Sequence, residues 1–379
     1  MFVLYTIDLF PGIEYLMPWR TVLEVAKGIQ ARGNDVVVLN GCHSNDMIYD
    51  YSWQGVNIVG IQVGMDSLRE RIDGMKVDVL YIPVTWRAGL KNISALKSIP
   101  CNKVAYLSGG VYDLCGSMLL LMNSSFNTAK PYLIESLVPK DILGSKLRDA
   151  GFGATIGLTE LSTKMAVKAG LPNPICIYPG KDSFEEIIPD NSALESFQLV
   201  GKKWLLFTGS PAPIRGASVL IKAIDRANND DITLVMLIRG DKGADLENVV
   251  RTQKNMKHPN RVIVINEKLS REQLRAFFGA AWYAVLPFLT VPSEVPLTYF
   301  ELLSCGTPIV SFPNGGTTEY LYSSLVLAKR TINGMAAVLD EVWNNTDLRK
   351  QRSDAGLEIM AAHSTWEDVS KNWEGIVKK

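Results

Sequence analysis

The sequence predicts an α/β protein built from two successive doubly wound domains. Its 379 residues exceed what one ordinary hydrophobic core holds. Short apolar runs alternate with stretches of helical periodicity along the chain, and a polar stretch near residues 189–195 divides them into two blocks. We therefore predict a first domain over residues 1–188 and a second over residues 200–363. Ligands of such sheets bind beyond the carboxyl ends of the strands, so we expect the active site in the cleft between the domains.

The first block opens as strand, helix, strand, which is the order that parallel pairing needs. Residues 2–7 and 36–39 are apolar runs, and residues 22–29 between them carry apolar side chains at helical spacing. Further strands are predicted at 56–63, 79–83, 104–107 and 154–158, the last closing the sheet, and helices at 66–75, 89–97 and 161–169.

The second block repeats the alternation. Strands are predicted at residues 205–208, 232–238, 261–265 and 309–312. A further strand is predicted in the short apolar run that ends at Leu286. Helices are predicted at residues 217–227, 246–254 and 271–278, and another opens near Val295. A second doubly wound half explains this pattern more simply than one long sheet does.

Composition excludes several classes of function. The chain has 39 basic and 39 acidic residues, so nothing favours nucleic acid as a partner. Five scattered cysteines without CxxC spacing are typical of a reducing compartment, and we find no His/Cys cluster or Asp-x-Asp pair that indicates a metal. The first residues are better interpreted as a strand than as a signal peptide, because Asp8 breaks their apolar run. No apolar run is long enough to span a bilayer, so we expect a cytoplasmic protein that can also sit on the inner face of the membrane.

An anion-binding site is predicted where the helix near Val295 begins. Pro296 suits the first helical turn, and the free N–H groups then belong to Leu297 and Thr298. With the helix dipole they favour a phosphate. Glu301 lies one turn further in, where its carboxylate can accept hydrogen bonds from a ribose diol. Alternatively, Glu301 is a solvated helix residue.

A second phosphate-binding segment is predicted after the first strand of the second domain. Gly209 and Ser210 lead to Arg215 and a glycine before the next helix, which suits a diphosphate because the backbone can approach closely and arginine can bind two oxygens. Arg239, at the end of the following strand, is the candidate for a second cation. The alternative for either arginine is an exposed surface side chain.

One run of residues carries a family resemblance. Glu301 is followed by Cys-Gly-Thr-Pro at 305–308, an apolar strand, Gly-Gly at 315–316 and Glu319. This series resembles the second domain of the family-4 retaining glycosyltransferases, in the glycosyl transferases group 1, which have the GT-B fold of two Rossmann-like domains facing a central cleft. The family has an earlier Glu whose position is occupied here by Ser293, with Glu294 next to it. The resemblance implies ribose binding for Glu301 and a donor-sugar contact for Glu294.

The resemblance extends to other segments. Ser210 stands where the family has Arg, and Arg215 where it has Lys. The loop with Lys268 and Leu269 corresponds to the one that reads the base through backbone groups. Residues 364–367 look like the start of the family's last helix, so residues 364–379 are expected to pack back on the first domain.

The first domain departs from the family pattern. Of the usual Gly-rich loop after strand one, only Gly12 remains, and no histidine follows the later strand where the family has one. Ser108 and Asp113 are the alternative polar contacts for the sugar. His43 ends the second strand, and we interpret it as a surface residue at the rim.

Two apolar stretches have two interpretations. Residues 118–122 and 133–147 either pack in the core, which we favour, or form a peripheral membrane or lipid-acceptor surface.

These observations predict a metal-independent retaining glycosyltransferase. It would move a sugar from a UDP- or GDP-type nucleotide sugar to a saccharide or lipid-linked saccharide in envelope polysaccharide or lipopolysaccharide synthesis, with no cofactor besides that donor. The predicted catalytic residues are Arg215, Glu294, Ser108 and Asp113. Two alternatives stay open: a non-hydrolysing nucleotide-sugar 2-epimerase and a non-catalytic scaffold subunit.

Overall fold

The computed structural model describes residues 1–86, 92–238, 243–291 and 295–377. They form one sheet of eight strands and another of six, each flanked by helices, which confirms the predicted α/β fold of two Rossmann-like domains. Apolar runs form the central strands because a parallel sheet is covered on both faces.

The first sheet has the strand order β3-β4-β2-β1-β5-β6-β7-β8 and is parallel except for the β3–β4 pair. Its strands are β1 (Phe2–Ile7), β2 (Val36–Cys42), β3 (Tyr51–Trp53), β4 (Val56–Gln62), β5 (Val79–Val84), β6 (Asn102–Leu107), β7 (Ala154–Gly157) and β8 (Pro174–Cys176). The helices between them are α1 (Trp19–Ala31), α2 (Met65–Ile72), α3 (Leu114–Asn123), α4 (Phe126–Leu137), α5 (Asp141–Asp149) and α6 (Glu160–Lys168).

The second sheet is parallel in the order β11-β10-β9-β12-β13-β14. Its strands are β9 (Leu205–Thr208), β10 (Leu234–Leu237), β11 (Val262–Ile265), β12 (Tyr283–Leu286), β13 (Ile309–Ser311) and β14 (Leu325–Leu327). The helices are α7 (Ser192–Ser196), α8 (Ala217–Arg226), α9 (Ala244–Lys254), α10 (Arg271–Ala280), α11 (Leu297–Ser304), α12 (Gly315–Leu321), α13 (Ile332–Asn344), α14 (Thr346–Ala362) and α15 (Trp366–Gly375).

Four local predictions are wrong. Strand β7 does not close the first sheet, because β8 pairs with it in parallel. The helix predicted over 66–75 ends at Ile72. In place of the helix predicted over 89–97, residues 93–98 form a 3-10 helix, and residues 89–91 lie outside the described residues. Pro296 precedes the first turn of α11 instead of lying within it, because its ψ of 126° is extended.

Helix α15 packs on the first domain. Trp373 is fully buried there between the rings of Tyr81 and Tyr106, with centroids 5.1 and 5.2 Å away. The Tyr81 hydroxyl donates to the Trp373 carbonyl at 2.7 Å, and the Arg32 guanidinium pairs with Glu374 at 2.6 Å. The chain therefore returns to its first sheet after completing the second.

Helices α3 and α4 form a hairpin that packs against the second domain. Leu120 and Ala129 are fully buried in that domain's core. On the outer side, Met122 and Leu137 are 79% and 69% exposed. Exposed apolar side chains of the hairpin and of α5 are Leu114, Met118, Met122, Phe126, Ile134, Leu137 and Ile142. Core packing is thus the wrong interpretation for Met118, Met122, Ile134, Leu137 and Ile142, whereas Leu120, Leu143 and Leu147 are buried as expected.

Among the described ranges, no helix combines the length and the apolar character needed to cross a bilayer.

Candidate active site

A cavity of about 340 Å³ opens between the domains at the carboxyl ends of the central strands. Its second-domain wall comes from two segments, the loop after β9 and the start of α11. The predicted site residues that line it are Gly209, Ser210, Arg215, Leu297, Thr298 and Glu301. The structure thus brings both predicted phosphate-binding segments to one place.

The start of α11 presents backbone donors to this cavity. Pro296 is the residue before the helix, and its carbonyl accepts a hydrogen bond from the Tyr299 N–H at 3.0 Å. The N–H groups of Leu297 and Thr298 lie in the first turn, where an α-helix offers no internal acceptor. With the helix dipole, they give the cavity a positive end.

Arg215 ends the short 3-10 turn Pro213–Arg215, beside the start of α11. Its guanidinium carbon lies 4.5 Å from the centroid of the Phe288 ring, which is almost fully buried. A cation over an aromatic face is stabilised and its orientation is restricted. Arg215 is therefore a positioned cation in the cavity wall.

Gly216 allows the loop to turn sharply behind Arg215. Its φ is +72°, and a Cβ at this position would lie 2.1 Å from the carbonyl oxygen of Pro287. Only glycine meets both conditions without strain.

Glu301 lies on the cavity side of α11, whereas its neighbours point into the core. Its side chain is half-buried, and Leu302 and Leu303 are fully buried. Burial raises the pKa of Cys305, one turn further on, to about 12, so that thiol stays protonated at neutral pH. Burial likewise raises the pKa of Tyr299 to about 12, and its hydroxyl lies 2.8 Å from the Ser311 hydroxyl. Among the described residues that line the cavity, the carboxyl group belongs to Glu301 and the guanidinium group to Arg215.

Other predicted contacts lie outside the cavity wall. Gly12 is exposed, with φ +103°, and its N–H donates to the Glu14 carboxylate at 2.6 Å. Ser108 follows β6, and its hydroxyl lies 3.4 Å from the Val84 carbonyl. Lys268 and Leu269 follow β11, the edge strand; the first is exposed and the second packs on the core.

Asp113 has two partners of its own. Its carboxylate caps α3 by accepting from the Gly116 N–H at 2.7 Å, and it pairs with the Arg330 guanidinium of the second domain at 2.8 Å. Arg239, Ser293 and Glu294 lie outside the described residues.

The domains meet closely beside the cavity. A Cβ on Gly110 of the first domain would lie 2.3 Å from the Val291 carbonyl oxygen of the second. Leu297 packs against the core of the first domain, near Trp19. The start of α11 is thus in contact with both domains.

The first-domain wall of the cavity includes three residues that sequence reasoning missed, Tyr15, Leu16 and Met17. It consists of Tyr15, Leu16, Met17 and Trp19, in the loop between β1 and α1 and at the start of that helix. The Trp19 indole N–H donates to the Ile7 carbonyl at 2.8 Å, which ties this wall to the end of β1. The aromatic residues were the available signal, but no periodicity shows which way a loop folds.

His43 pairs with Asp8 at the same edge of the first sheet. The Asp8 carboxylate accepts from the His43 backbone N–H at 3.0 Å and lies 2.7 Å from its Nδ1. Asp8 has a φ of +51°, a strained value for a residue other than glycine. The two side chains are partly exposed and do not line the cavity.

A larger cavity, of about 800 Å³, lies elsewhere, at the amino ends of β6 and β7 beside α15. That edge is opposite to the one where doubly wound sheets bind ligands. Over the ranges that the structure describes, no three His, Cys, Asp or Glu side chains are grouped to hold a metal ion.

The two Rossmann-like domains with a cavity between them have the GT-B architecture. The second-domain wall of the cavity offers backbone N–H groups and an arginine, which suit a phosphate. Residues 202–345 match the family model of glycosyl transferases group 1. No curated protein matches the chain significantly in sequence.

Solved structures share the fold over the whole chain. Sucrose-phosphate synthase from Thermosynechococcus elongatus is 14% identical, with a TM-score of 0.76 over 100% of this chain and 98% of that one. A glycosyltransferase from Rickettsia africae is 14% identical, with a TM-score of 0.74 over 100% and 97%. The trehalose-6-phosphate structure from E. coli bound with UDP-2-fluoro glucose is 11% identical, with a TM-score of 0.72 over 100% and 99%.

Proposed function

We propose that this protein is a retaining glycosyltransferase of the family-4 type, which moves a sugar from a nucleotide diphosphate sugar to a saccharide or lipid-linked saccharide. The observation that carries the proposal is the cavity that Arg215, the start of α11 and Glu301 line together. The family match over residues 202–345 and the GT-B fold support a transferase. Neither finding favours the 2-epimerase or the scaffold subunit.

The donor would lie along the second-domain wall. The diphosphate would bind between Arg215 and the N–H groups of Leu297 and Thr298. The ribose hydroxyls would donate hydrogen bonds to the Glu301 carboxylate. A UDP- or GDP-type donor is proposed, and one structural neighbour is bound with UDP-2-fluoro glucose. No cofactor besides this donor is proposed.

The chemistry is the displacement of the nucleoside diphosphate from the anomeric carbon of the sugar. The bond from that carbon to the diphosphate oxygen breaks as a bond to the acceptor oxygen forms, and the acceptor proton passes to the leaving phosphate. Arg215 and the α11 amides stabilise the charge that develops on the diphosphate, which is where preorganised donors act best. Attack on the same face of the sugar would retain its configuration.

The outer face of the α3–α4 hairpin supports a lipid-linked acceptor. Met122 and Leu137 are largely exposed there, and Lys130 of α4 is exposed as well. Exposed apolar side chains together with cations suit a membrane surface. We therefore place the reaction at the inner face of a membrane, in envelope polysaccharide or lipopolysaccharide synthesis.

Nucleotide binding tests the donor site directly. Calorimetric titration with UDP, GDP and ADP should show micromolar binding of one nucleotide. Glu301→Ala should weaken it by roughly 10- to 150-fold, the equivalent of about 1.5–3 kcal/mol for hydrogen bonds to a charged group. Arg215→Ala should weaken it at least about 10-fold, because it removes charge-assisted bonds to phosphate.

Matched variants separate these effects from general loss of charge. Glu358 on α14 and Arg251 on α9 are exposed and do not line the cavity. Their alanine variants should bind the nucleotide as tightly as the unmodified protein does. Unchanged binding in folded Glu301→Ala would refute the ribose assignment. Absence of any nucleotide binding would refute the proposed function.

A further inference from the structure

The first-domain wall of the cavity carries an exposed aromatic side chain. Tyr15 is 54% exposed and lines the same cavity as Glu301 and Thr298 of the second domain. An exposed tyrosine that faces a cleft offers a flat apolar surface and a hydroxyl to a ligand. Its orientation therefore matters for what the cavity binds.

Tyr15 is held on one side by an aromatic and cationic cluster. The guanidinium carbon of Arg20 lies 4.9 Å from the centroid of the Tyr15 ring. The Trp53 ring meets the Tyr15 ring edge-on, with centroids 6.1 Å apart and planes inclined at 70°. One face of Tyr15 is thus occupied by a cation, while more than half of the side chain stays accessible.

Arg20 is fixed by its own partners. It is 6% exposed, and its Nη2 lies 2.7 Å from the Glu24 carboxylate and 2.8 Å from the Asp182 carboxylate. Its Nε and Nη1 are buried without a hydrogen-bond partner in the part of the chain that the structure describes. The guanidinium therefore makes its remaining favourable contacts with the faces of Tyr15 and Trp53.

The second domain already accounts for the donor nucleotide. In the proposed function, the phosphate donors and the ribose carboxylate come from that domain, whose residues line the same cavity as Tyr15. The ligand group that remains for Tyr15 is one that approaches from the first domain. A pyranose ring has a face of C–H bonds that is apolar and weakly positive, and this face complements the negative face of an aromatic ring.

We propose that Tyr15 is the stacking platform for the acceptor pyranose, and that Arg20 is a positioning residue which holds the Tyr15 ring. The inference deepens the proposed function and rests on it. It makes the β1–α1 loop the place where the acceptor sugar is selected.

Saturation-transfer NMR with simple sugars tests the platform. The probes are methyl α-glucopyranoside, methyl α-mannopyranoside and methyl α-galactopyranoside, added to the full chain with and without the nucleotide that binds best. At least one should receive saturation, most strongly on the C–H groups of one ring face. If none of the three binds, the proposal is wrong.

Variants of Tyr15 separate stacking from the hydroxyl. Tyr15→Ala should weaken binding of the sugar about 2- to 12-fold, which corresponds to an aromatic contact of about 0.5–1.5 kcal/mol. Tyr15→Phe keeps the ring and should stay within about 2-fold of the unmodified protein. Tyr49→Ala is the matched control, because Tyr49 is 41% exposed on the same domain and does not line the cavity.

A double-mutant cycle tests the role of Arg20. If Arg20 acts only through Tyr15, Arg20→Met should weaken sugar binding, and Arg20→Met combined with Tyr15→Ala should bind no worse than Tyr15→Ala alone. Additive losses would refute the positioning role, and the Tyr15 variants still test the platform if Arg20→Met does not fold.

Nucleotide affinity distinguishes the two proposals. Tyr15→Ala should leave the nucleotide dissociation constant unchanged. If Tyr15→Ala weakens nucleotide binding and spares the sugar, the acceptor platform is wrong while the donor site stands. If no nucleotide binds to the unmodified protein, it is the proposed function that fails.

Discussion

Gly216 shows how a single residue positions the charged group of the site. Its left-handed φ of +72° and its contact with Pro287 both exclude a side chain, and the residue before it is Arg215. A substitution here should therefore affect both the stability of the second domain and the placement of the cation.

Gly216→Ala should destabilise the protein more than the backbone conformation alone requires. A left-handed φ costs alanine about 1–2 kcal/mol, and overpacking against the Pro287 carbonyl adds about 1–3 kcal/mol. Urea denaturation measures the free energy of unfolding. Gly201→Ala is the matched control, because Gly201 also has φ +72° but nothing within 4 Å of its Cβ position. Equal losses in the two variants would mean that the Pro287 contact is unimportant.

His363 is a buried histidine whose hydrogen bonds suit the neutral ring. It is 6% exposed and lies where α14 ends and the chain turns back toward the first domain. Its Nε2 is 2.8 Å from the Pro179 carbonyl, and its Nδ1 is 2.6 Å from the Tyr320 hydroxyl. Burial lowers its pKa below the ordinary value of 6.5; the hydrogen bond to Pro179 opposes this shift without reversing it, and the charge of Lys181 adds to it.

Because the pKa of His363 is lower in the folded than in the unfolded state, the unfolded state binds the proton first as pH falls. The stability that the neutral ring contributes is complete above pH 6.5 and is lost as pH falls from there through the folded pKa. Denaturation at pH 7.5 and 5.0 should show a smaller pH dependence for His363→Gln than for the unmodified protein. His258→Gln, at an exposed site, should leave the dependence unchanged.

At the scale of elements, α15 belongs to the second half of the chain in sequence and to the first domain in packing. Its buried face carries Trp366, Val369 and Trp373, all in the core of the first domain. The indole N–H of Trp373 has no hydrogen-bond partner within the described ranges, so the contribution of this side chain comes from packing.

Trp373→Ala should therefore destabilise the first domain by about 3–5 kcal/mol, the usual cost of removing a buried aromatic side chain. Calorimetric or denaturant unfolding measures the loss. Glu367→Ala on the exposed side of the same helix should change the free energy of unfolding by less than about 0.5 kcal/mol. A Trp373→Ala loss as small as that of Glu367→Ala would contradict the packing described for α15.

How far the sequence predicts elements depends on their length. Strands β1 and β9 have the predicted bounds, because four or more consecutive apolar residues between turn signals define a buried strand. Strands β3, β8 and β14 were missed, and each has three residues, too few to show any periodicity. Strand β13 is equally short, but it lies inside the family motif, which located it. The family motif likewise predicted that Arg215 and Glu301 share a site, and they line one cavity.

What the sequence could not predict depends on contacts between distant segments. That Tyr15 and Glu301 line one cavity follows from how the domains meet, and the burial of Leu120 requires a partner surface in the other domain. Helical patterns indicate an apolar face but not what covers it. For the same reason the exposure of Met122 and Leu137 could not be predicted.

At the scale of the whole molecule, the domains are connected by direct contacts as well as by the chain near residues 189–195. The Arg330–Asp113 pair, the approach of Gly110 to Val291 and the docking of Leu297 on the first core all connect them. Of these contacts, only the ion pair depends on salt concentration.

The Asp113–Arg330 pair should contribute little to stability. The two side chains are 51% and 18% exposed, and partly exposed ion pairs are typically worth about 0–1 kcal/mol. A double-mutant cycle with Asp113→Asn, which retains an oxygen acceptor for the α3 cap, and Arg330→Gln measures their coupling. The coupling energy should fall within that range and decrease at high salt. A larger, salt-independent value would indicate that the pair is effectively buried.

The return of α15 to the first sheet also has a consequence for biosynthesis. The strands around Tyr81 and Tyr106 leave the ribosome early, yet Trp366 and Trp373, which complete their core, are translated after the entire second domain. The first domain to emerge is therefore the last to be finished, against the usual order in which domains fold as they are made. Until then, the rings of Tyr81 and Tyr106 lack the cover that Trp373 gives them in the complete fold.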